Sequence, residues 1–269
     1  MRLSLVLSTH AASFEAVAYK GDFEHNVEKI AAYGYDGIEL AVRDPALIDS
    51  QGVIRAVSSR GLVIPAIGTG QAWGEERLSF TDPDPLIRQK AVDRISAHIQ
   101  LAKETGAVLI IGLVRGVLQP GVSASQAREW MLAGFGSSMA AARTAGVRIA
   151  LEPLNRYETP LINTAREALE FLDRLGADNL GLLLDTFHMN IEEPSIEESI
   201  RICSGRIFHF HVADSNRWYP GAGHLDFAGI LQTLLATGYD GFVSGEFMAK
   251  PEADLAARKA ADFLRGLKL

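Results

Sequence analysis

The sequence predicts a (β/α)8 barrel on three observations. Strand-like and helix-like segments alternate eight times, the sequence form of βα units around a parallel sheet. The length, 269 residues, is ordinary for such a barrel, which takes roughly 250 residues as one domain. Four acidic or imidazole side chains end four of the apolar runs, and catalytic groups of a barrel gather at the C-terminal ends of its strands.

The first strand is expected at 2–8, inside MRLSLVLSTH. Its apolar stretch is short and alternates with Ser, so it reads as a strand and not as a signal peptide. Further strands are expected at 36–41, 62–67, 107–112, 147–152, 180–185, 206–212 and 241–246. Each is short, rich in Val, Ile, Leu or Phe, and followed by Gly, Pro or polar residues, as suits strands buried on both faces. Helices fill the intervals. The clearest spans 86–105, where Leu86, Ala91, Ile95, Ile99 and Ala102 recur at roughly helical spacing. Before it, TDPDP offers Asp84 as a cap and Pro85 for the first turn. Gly34, Gly61, Gly106, Gly146 and Gly238 precede strands, where glycine supplies a left-handed helix end. An open doubly wound sheet is the competing arrangement, but no GxGxxG follows the first strand and no GxxxxGK occurs. No linker or low-complexity tract interrupts the chain, so residues 1–269 are expected to form one domain.

A net charge of −7 argues against a nucleic-acid partner, because phosphate binding needs a basic stripe. No run approaches the roughly 20 apolar residues of a membrane helix. Cys203 is the single cysteine; it is expected to be a packing residue in a reducing, cytoplasmic compartment.

Glu152 closes VRIALE, Asp185 closes LGLLLD, His211 closes IFHFH and Glu246 closes FVSGE. If these ends converge, three carboxylates and an imidazole face one another, and like charges so close repel unless a cation lies between them. Mixed oxygen and nitrogen donors suit Mn, Mg, Co or Zn and an open catalytic site. Singly, each residue has a plainer reading. Asp185 could cap a helix, Glu152 could pair with a buried arginine, and one of His209 and His211 could be a satisfied core histidine. Polar residues follow each candidate closely: Asn155, Arg156 and Glu158, then His188, then Asp214, Asn216 and Arg217. Arg217 beside Trp218 suits recognition of an oxygen-rich anion or polyol.

EPLNRYET at 152–159, DTFHMN at 185–190, HFHVADSNR at 209–217 and GE at 245–246 resemble the ketose 3-epimerases, the D-tagatose 3-epimerase group of the xylose-isomerase-like TIM barrels. IGTGQA at 67–72, IGLVRG at 111–116 and NRWYPGAGHLDF at 216–227 are more similar to its 5-keto-L-gluconate epimerase branch. The resemblance implies a metal-dependent isomerase that inverts the carbon beside the ketone through an enediolate. It implies Glu152, Asp185, His211 and Glu246 as ligands of one divalent ion, usually Mn, with Glu152 and Glu246 as the acid/base pair. Glu158, His188 and Arg217 match residues that hold the substrate near its carbonyl. Leu113 stands where an aromatic residue often lines the pocket, and Arg115 lies nearby. The branch resemblance and Arg115 together point to a keto-hexonate substrate, 5-keto-L-gluconate or D-tagaturonate, with Arg115 reading its carboxylate. The partner is thus a small keto-sugar or keto-sugar acid, and the enzyme is expected to be a homo-oligomer. General ketose 3-epimerisation of D-tagatose, D-fructose or D-psicose, and a hydroxypyruvate-isomerase-like aldose–ketose isomerisation, are the enzymatic alternatives. A phosphodiesterase of the endonuclease IV type would need a multi-metal cluster and a basic face. A metal-stabilised barrel that only binds a sugar acid is the non-enzyme alternative.

Overall fold

The computed structural model of the protein describes residues 1–269. Its strands are β1 (Arg2–Ser8), β2 (Tyr19–Lys20), β3 (Gly37–Ala41), β4 (Ala66–Gly68), β5 (Val108–Ile111), β6 (Ile149–Leu151), β7 (Leu180–Asp185), β8 (Ile207–Val212) and β9 (Phe242–Gly245). The order β1-β3-β4-β5-β6-β7-β8-β9 is parallel throughout, and pairing of β1 with β9 closes the ring. Eight strands therefore form a closed barrel, as the sequence predicts. The short β2 pairs with Leu7 and Ser8, beyond the point where pairing of β1 with β9 ends at Leu5.

Period-two alternation sends neighbouring side chains of a strand to opposite faces. Leu109 and Ile111 of β5, Ile149 and Leu151 of β6, and Leu182 and Leu184 of β7 belong to the main core under the helices. Their neighbours Val108, Ile110, Ala150 and Leu183 pack with Ala66 in a separate inner cluster. Both faces are thus buried, which is why the strands read as unbroken apolar runs.

Two expectations shift. The strand expected at 62–67 begins only at Ala66, with a single bridge between Gly37 and Val63 before it. Pro65 has no N–H to give a ladder, and its carbonyl instead accepts from Val108. The helix expected at 86–105 runs Pro85–Thr105, with Asp84 accepting from the Leu86 N–H at 2.8 Å. Leu86 itself is 69% exposed. The buried stripe is Ala91, Ile95, Ile99 and Ala102, at spacings of four, four and three, and Leu86 falls outside it because five residues separate it from Ala91. The glycines named above all have positive φ, between 72° and 84°. Cys203 is buried and free, and burial pushes its thiol up to about 12. No helix is long and apolar enough to cross a membrane.

Candidate active site and metal centre

Glu152, Asp185, His211 and Glu246 come together. One ligand atom from each lies within 4.8 Å of all the others. Asp185 and His211 are register partners on adjacent β7 and β8. Glu152 and Glu246 stand one residue past β6 and β9, their N–H groups still bonded to Ile111 and Val212 at 3.2 and 3.3 Å. Gly112 makes room for Glu152: a Cβ at that position would meet Glu152 Oε2 at 2.6 Å.

Asp185 does cap the helix Thr186–Glu192, its Oδ1 accepting from the Phe187 N–H at 2.8 Å. Its Oδ2 is buried with no hydrogen-bond partner, so the cap occupies only half of the carboxylate. Glu152 makes no ion pair with an arginine; its side-chain neighbours are the His188 and His211 rings at 3.8 and 4.0 Å. Of the two histidines, His209 is the satisfied one.

The residue that the sequence reading passed over is Glu39, on β3 and 1% exposed. It receives hydrogen bonds from His209 Nε2 at 2.8 Å and from His211 Nε2 at 2.9 and 3.0 Å. Because β3 and β8 are not neighbours, this bonding crosses the barrel interior. A neutral imidazole that gives its Nε2 proton to a carboxylate presents a lone pair at Nδ1, the form His211 would take once a cation displaced the Nδ1 proton that its raised pKa otherwise keeps. His211 Nδ1 is buried, unpartnered and 3.9 Å from Glu246 Oε2. The geometry is that of a carboxylate–histidine–metal relay, in which the outer carboxylate fixes the ligand's tautomer. Glu39 carries a legible signal of its own, an acidic residue inside the apolar run GIELA, where a carboxylate is rarely buried unless paired.

Charge in the cluster is unbalanced. Burial, then the nearby Glu246, hold the Glu152 carboxyl well above its ordinary range, against the pull of His211. Burial likewise raises Glu246, to about 7, with Asp185 adding to the effect and His211 and Arg217 opposing it. Asp185 is also raised by burial, against His211 and Arg217. Burial alone would raise Glu39 and lower His211, but their mutual attraction wins, holding Glu39 low and His211 up to about 10. Three carboxyl groups that resist ionising, converging with the unpartnered Asp185 Oδ2 and His211 Nδ1, fit a divalent cation of the Mn, Mg, Co or Zn type.

Around this centre lies a cleft lined by Glu158, His188, Arg217, Leu113, Phe14 and Gln71, among others. His188 Nδ1 accepts from Asn155 Nδ2 at 2.8 Å and from the Asn155 N–H at 3.4 Å. The remaining proton is therefore on Nε2, which has no partner and lies 3.7 Å from Asp185 Oδ2. Burial and then Arg217 keep this ring neutral, so it is a donor to an incoming oxygen. Arg217 sits at φ 61°, with Nη1 on Glu158 at 3.0 Å and Nη2 on Glu246 at 3.2 Å. The rings of Phe14 and Phe187 flank its guanidinium at 5.1 and 4.6 Å.

One expected site residue is elsewhere. Arg115 does not line the cleft; its side chain is 0% exposed and donates to the carbonyls of Glu152, Leu161 and Ile162. It turns inward because a guanidinium finds three backbone acceptors there, and it cannot read a substrate carboxylate. Asp214 is likewise structural, accepting from the Ser215, Gly221 and Leu225 N–H groups.

The family model described as xylose isomerase-like TIM barrel matches residues 27–267. An L-ribulose 3-epimerase of Mesorhizobium japonicum is 30% identical over 263 residues, 97% of this chain and 87% of that protein. A ketose 3-epimerase of Arthrobacter globiformis is 31% identical over 222 residues, 81% of this chain and 74% of that protein. Among solved structures, a D-allulose 3-epimerase from Methylomonas sp. in complex with D-allulose superposes with a TM-score of 0.84 at 26% identity, covering 99% of this chain and 98% of that one.

Proposed function

The chain belongs to the xylose isomerase-like TIM barrels and, within them, to the ketose 3-epimerases, and on that premise we propose that it inverts the carbon beside the ketone of a neutral ketose. The observation that carries the reading is the convergence of Glu152, Asp185, His211 and Glu246, with Asp185 Oδ2 and His211 Nδ1 buried and unpartnered among them. These four residues hold a divalent ion, and Glu39 orients His211 toward it. When bound, the ion supplies positive charge where negative charge develops on the substrate oxygens.

The side chains do the rest. A proton beside a ketone is only weakly acidic, so its removal needs a base in position and the return needs an acid on the other side. Glu152 and Glu246, on strands separated by β7 and β8, take these roles: one removes the proton from one face and the other delivers one to the opposite face. Their raised proton affinity suits both halves of the exchange. His188 donates Nε2–H to a substrate oxygen, and Arg217 with Glu158 orients the hydroxyls.

The neutral substrate is favoured by charge. The keto-hexonate expectation drew on the branch resemblance together with Arg115, and the Arg115 guanidinium is enclosed. Arg217 is the only Arg or Lys lining the cleft, and it is already shared between two carboxylates. A substrate carboxylate would find no free arginine or lysine and would face Glu75 and Glu158. The test is a panel of neutral ketoses and keto-hexonates with Mn-loaded and chelated protein. The reading expects C3 epimers of a neutral ketose, lost on chelation; turnover of keto-hexonates alone, or aldose products, would overturn it.

A further inference from the structure

Arg115 is the largest fully buried side chain of the molecule, a cation that lies under the active site without touching the cleft. Burial pushes its proton affinity down, to about 10, while Glu152 and Glu158 draw it back up. Such a charge is costly to bury unless hydrogen-bonded, and its bonds go to backbone alone. Nε donates to the Glu152 carbonyl at 3.2 Å and Nη2 to the Ile162 carbonyl at 3.0 Å, with Nη1 on Leu161.

These acceptors stand at the two ends of one loop. Glu152 begins it, Leu161 and Ile162 end it, and Asn155, Glu158 and Thr159 lie between. Ile162 is held at φ 54°, a left-handed conformation that a β-branched residue adopts only when its surroundings impose it. Thr159 Oγ1 adds a tie to the Gly116 carbonyl at 3.2 Å, next in the chain to Arg115. On the other side of the same segment, Gly112 gives the Glu152 carboxylate its space. Residues 112–116 thus leave room for the acid on one side and fasten its backbone on the other.

We infer that Arg115 is a positioning residue that pinches the two ends of the 152–162 loop together, setting Glu152 and Glu158 at once. This rests on the epimerase reading for the reaction affected, while the tether itself is independent of it. A guanidinium fork can serve three carbonyls together, and a lysine ammonium cannot match that planar geometry.

The test compares wild type with Arg115→Met and Arg115→Lys, using as control Ile95→Ala, a core cavity in the helix Pro85–Thr105. Amide hydrogen exchange, melting temperature, and kcat and KM on a neutral ketose and a keto-hexonate are measured well below the melting transitions. Displacing reacting groups by about an ångström costs on the order of a hundredfold in rate. Both Arg115 variants are expected to lose about tenfold to a hundredfold in kcat, in equal ratio on every substrate turned over, with faster exchange confined to 153–163. Ile95→Ala should lose stability and keep its kcat. Wild-type kcat in the Arg115 variants would overturn the inference, as would unchanged exchange in the loop or a loss limited to the keto-hexonate. If Arg115→Met does not fold, Arg115→Lys, which keeps the charge, carries the same readouts. A wild type inactive on all ketoses would sink the epimerase reading, and the exchange pattern would still decide the tether.

Discussion

The loop after β5 and the loop after β8 each bury an arginine at the same end of the barrel, and the two do opposite work. Arg115 is enclosed among carbonyls, whereas Arg217 is 8% exposed and bridges Glu158 to Glu246. Backbone dipoles fix a charge in place and give it nothing to exchange. Carboxylates that are themselves raised or shared leave a charge able to respond to a ligand. The difference teaches that a loop arginine is assigned by its acceptors: carbonyl partners mark a tether, and carboxylate partners within a cleft mark chemistry.

The comparison is broken most forcefully at the carboxylates. Glu152→Gln and Glu246→Gln should each lower kcat by about 10²–10⁴-fold, the range for one positioned acid or base. Metal content must be measured in parallel, since a variant that keeps its metal and near-normal turnover would remove the two-base scheme. Arg217→Met should lower kcat/KM by roughly a hundredfold, because a charge-assisted bond to each of two carboxylates is lost. It should also raise the pKa of Glu246 further, visible as an upward shift in the acidic limb of the pH–rate profile. Any shift from Arg115→Lys should be smaller, since that substitution keeps the positive charge near Glu152.

Glu39→Gln should weaken Mn binding by about 10–100-fold, the usual cost of losing an outer-shell partner, measured by calorimetric titration. An amide N–H facing His211 Nε2 would move the ring proton to Nδ1 and block the donor. Unchanged affinity would mean that the carboxylate relay is only packing.

A smaller effect is expected in stability against pH. Glu246 is raised by burial from 4.5 to about 7, so between these values the folded protein keeps a proton that the unfolded chain has released. Folding is therefore favoured at the acid end, and stability falls as pH rises through that window. Chelated wild type should lose stability relative to chelated Glu246→Gln as pH rises from about 5 to 7, which isolates this carboxyl from the buried histidines that titrate in the opposite sense, and added Mn should restore more stability at pH 7 than at pH 5. The smallest change is Phe14→Leu, which removes one ring flanking Arg217. It should raise KM about twofold to fivefold, as expected for a cation–π contact of about 0.5–1 kcal/mol.

The barrel was legible because buried parallel strands are apolar on both faces and their helices end in glycine. The convergence of Glu152, Asp185, His211 and Glu246 was legible for the same reason, since polar residues end runs that otherwise bury everything. Glu39 is as buried as these but has no such mark, because Leu40, Ala41 and Val42 follow it and it does not stand at the end of its run. Arg115 was misread for a different reason. Residue type and position after a strand fix where the Cα lies, but not whether the side chain turns out to the cleft or inward to carbonyls supplied 37 to 47 residues later. Long-range partners of that kind have no local pattern. Asn155, which sets the tautomer of His188 through its side chain, is hidden in the same way.

The most direct test of the central claim, that Glu152 and Glu246 exchange a proton across the substrate, is turnover of a neutral ketose by Mn-loaded protein in D2O, with the product analysed by NMR. The account predicts inversion at C3 and one solvent deuterium at that carbon alone. An inverted product that carries no deuterium at C3, or deuterium appearing at C1 of an aldose, would contradict it.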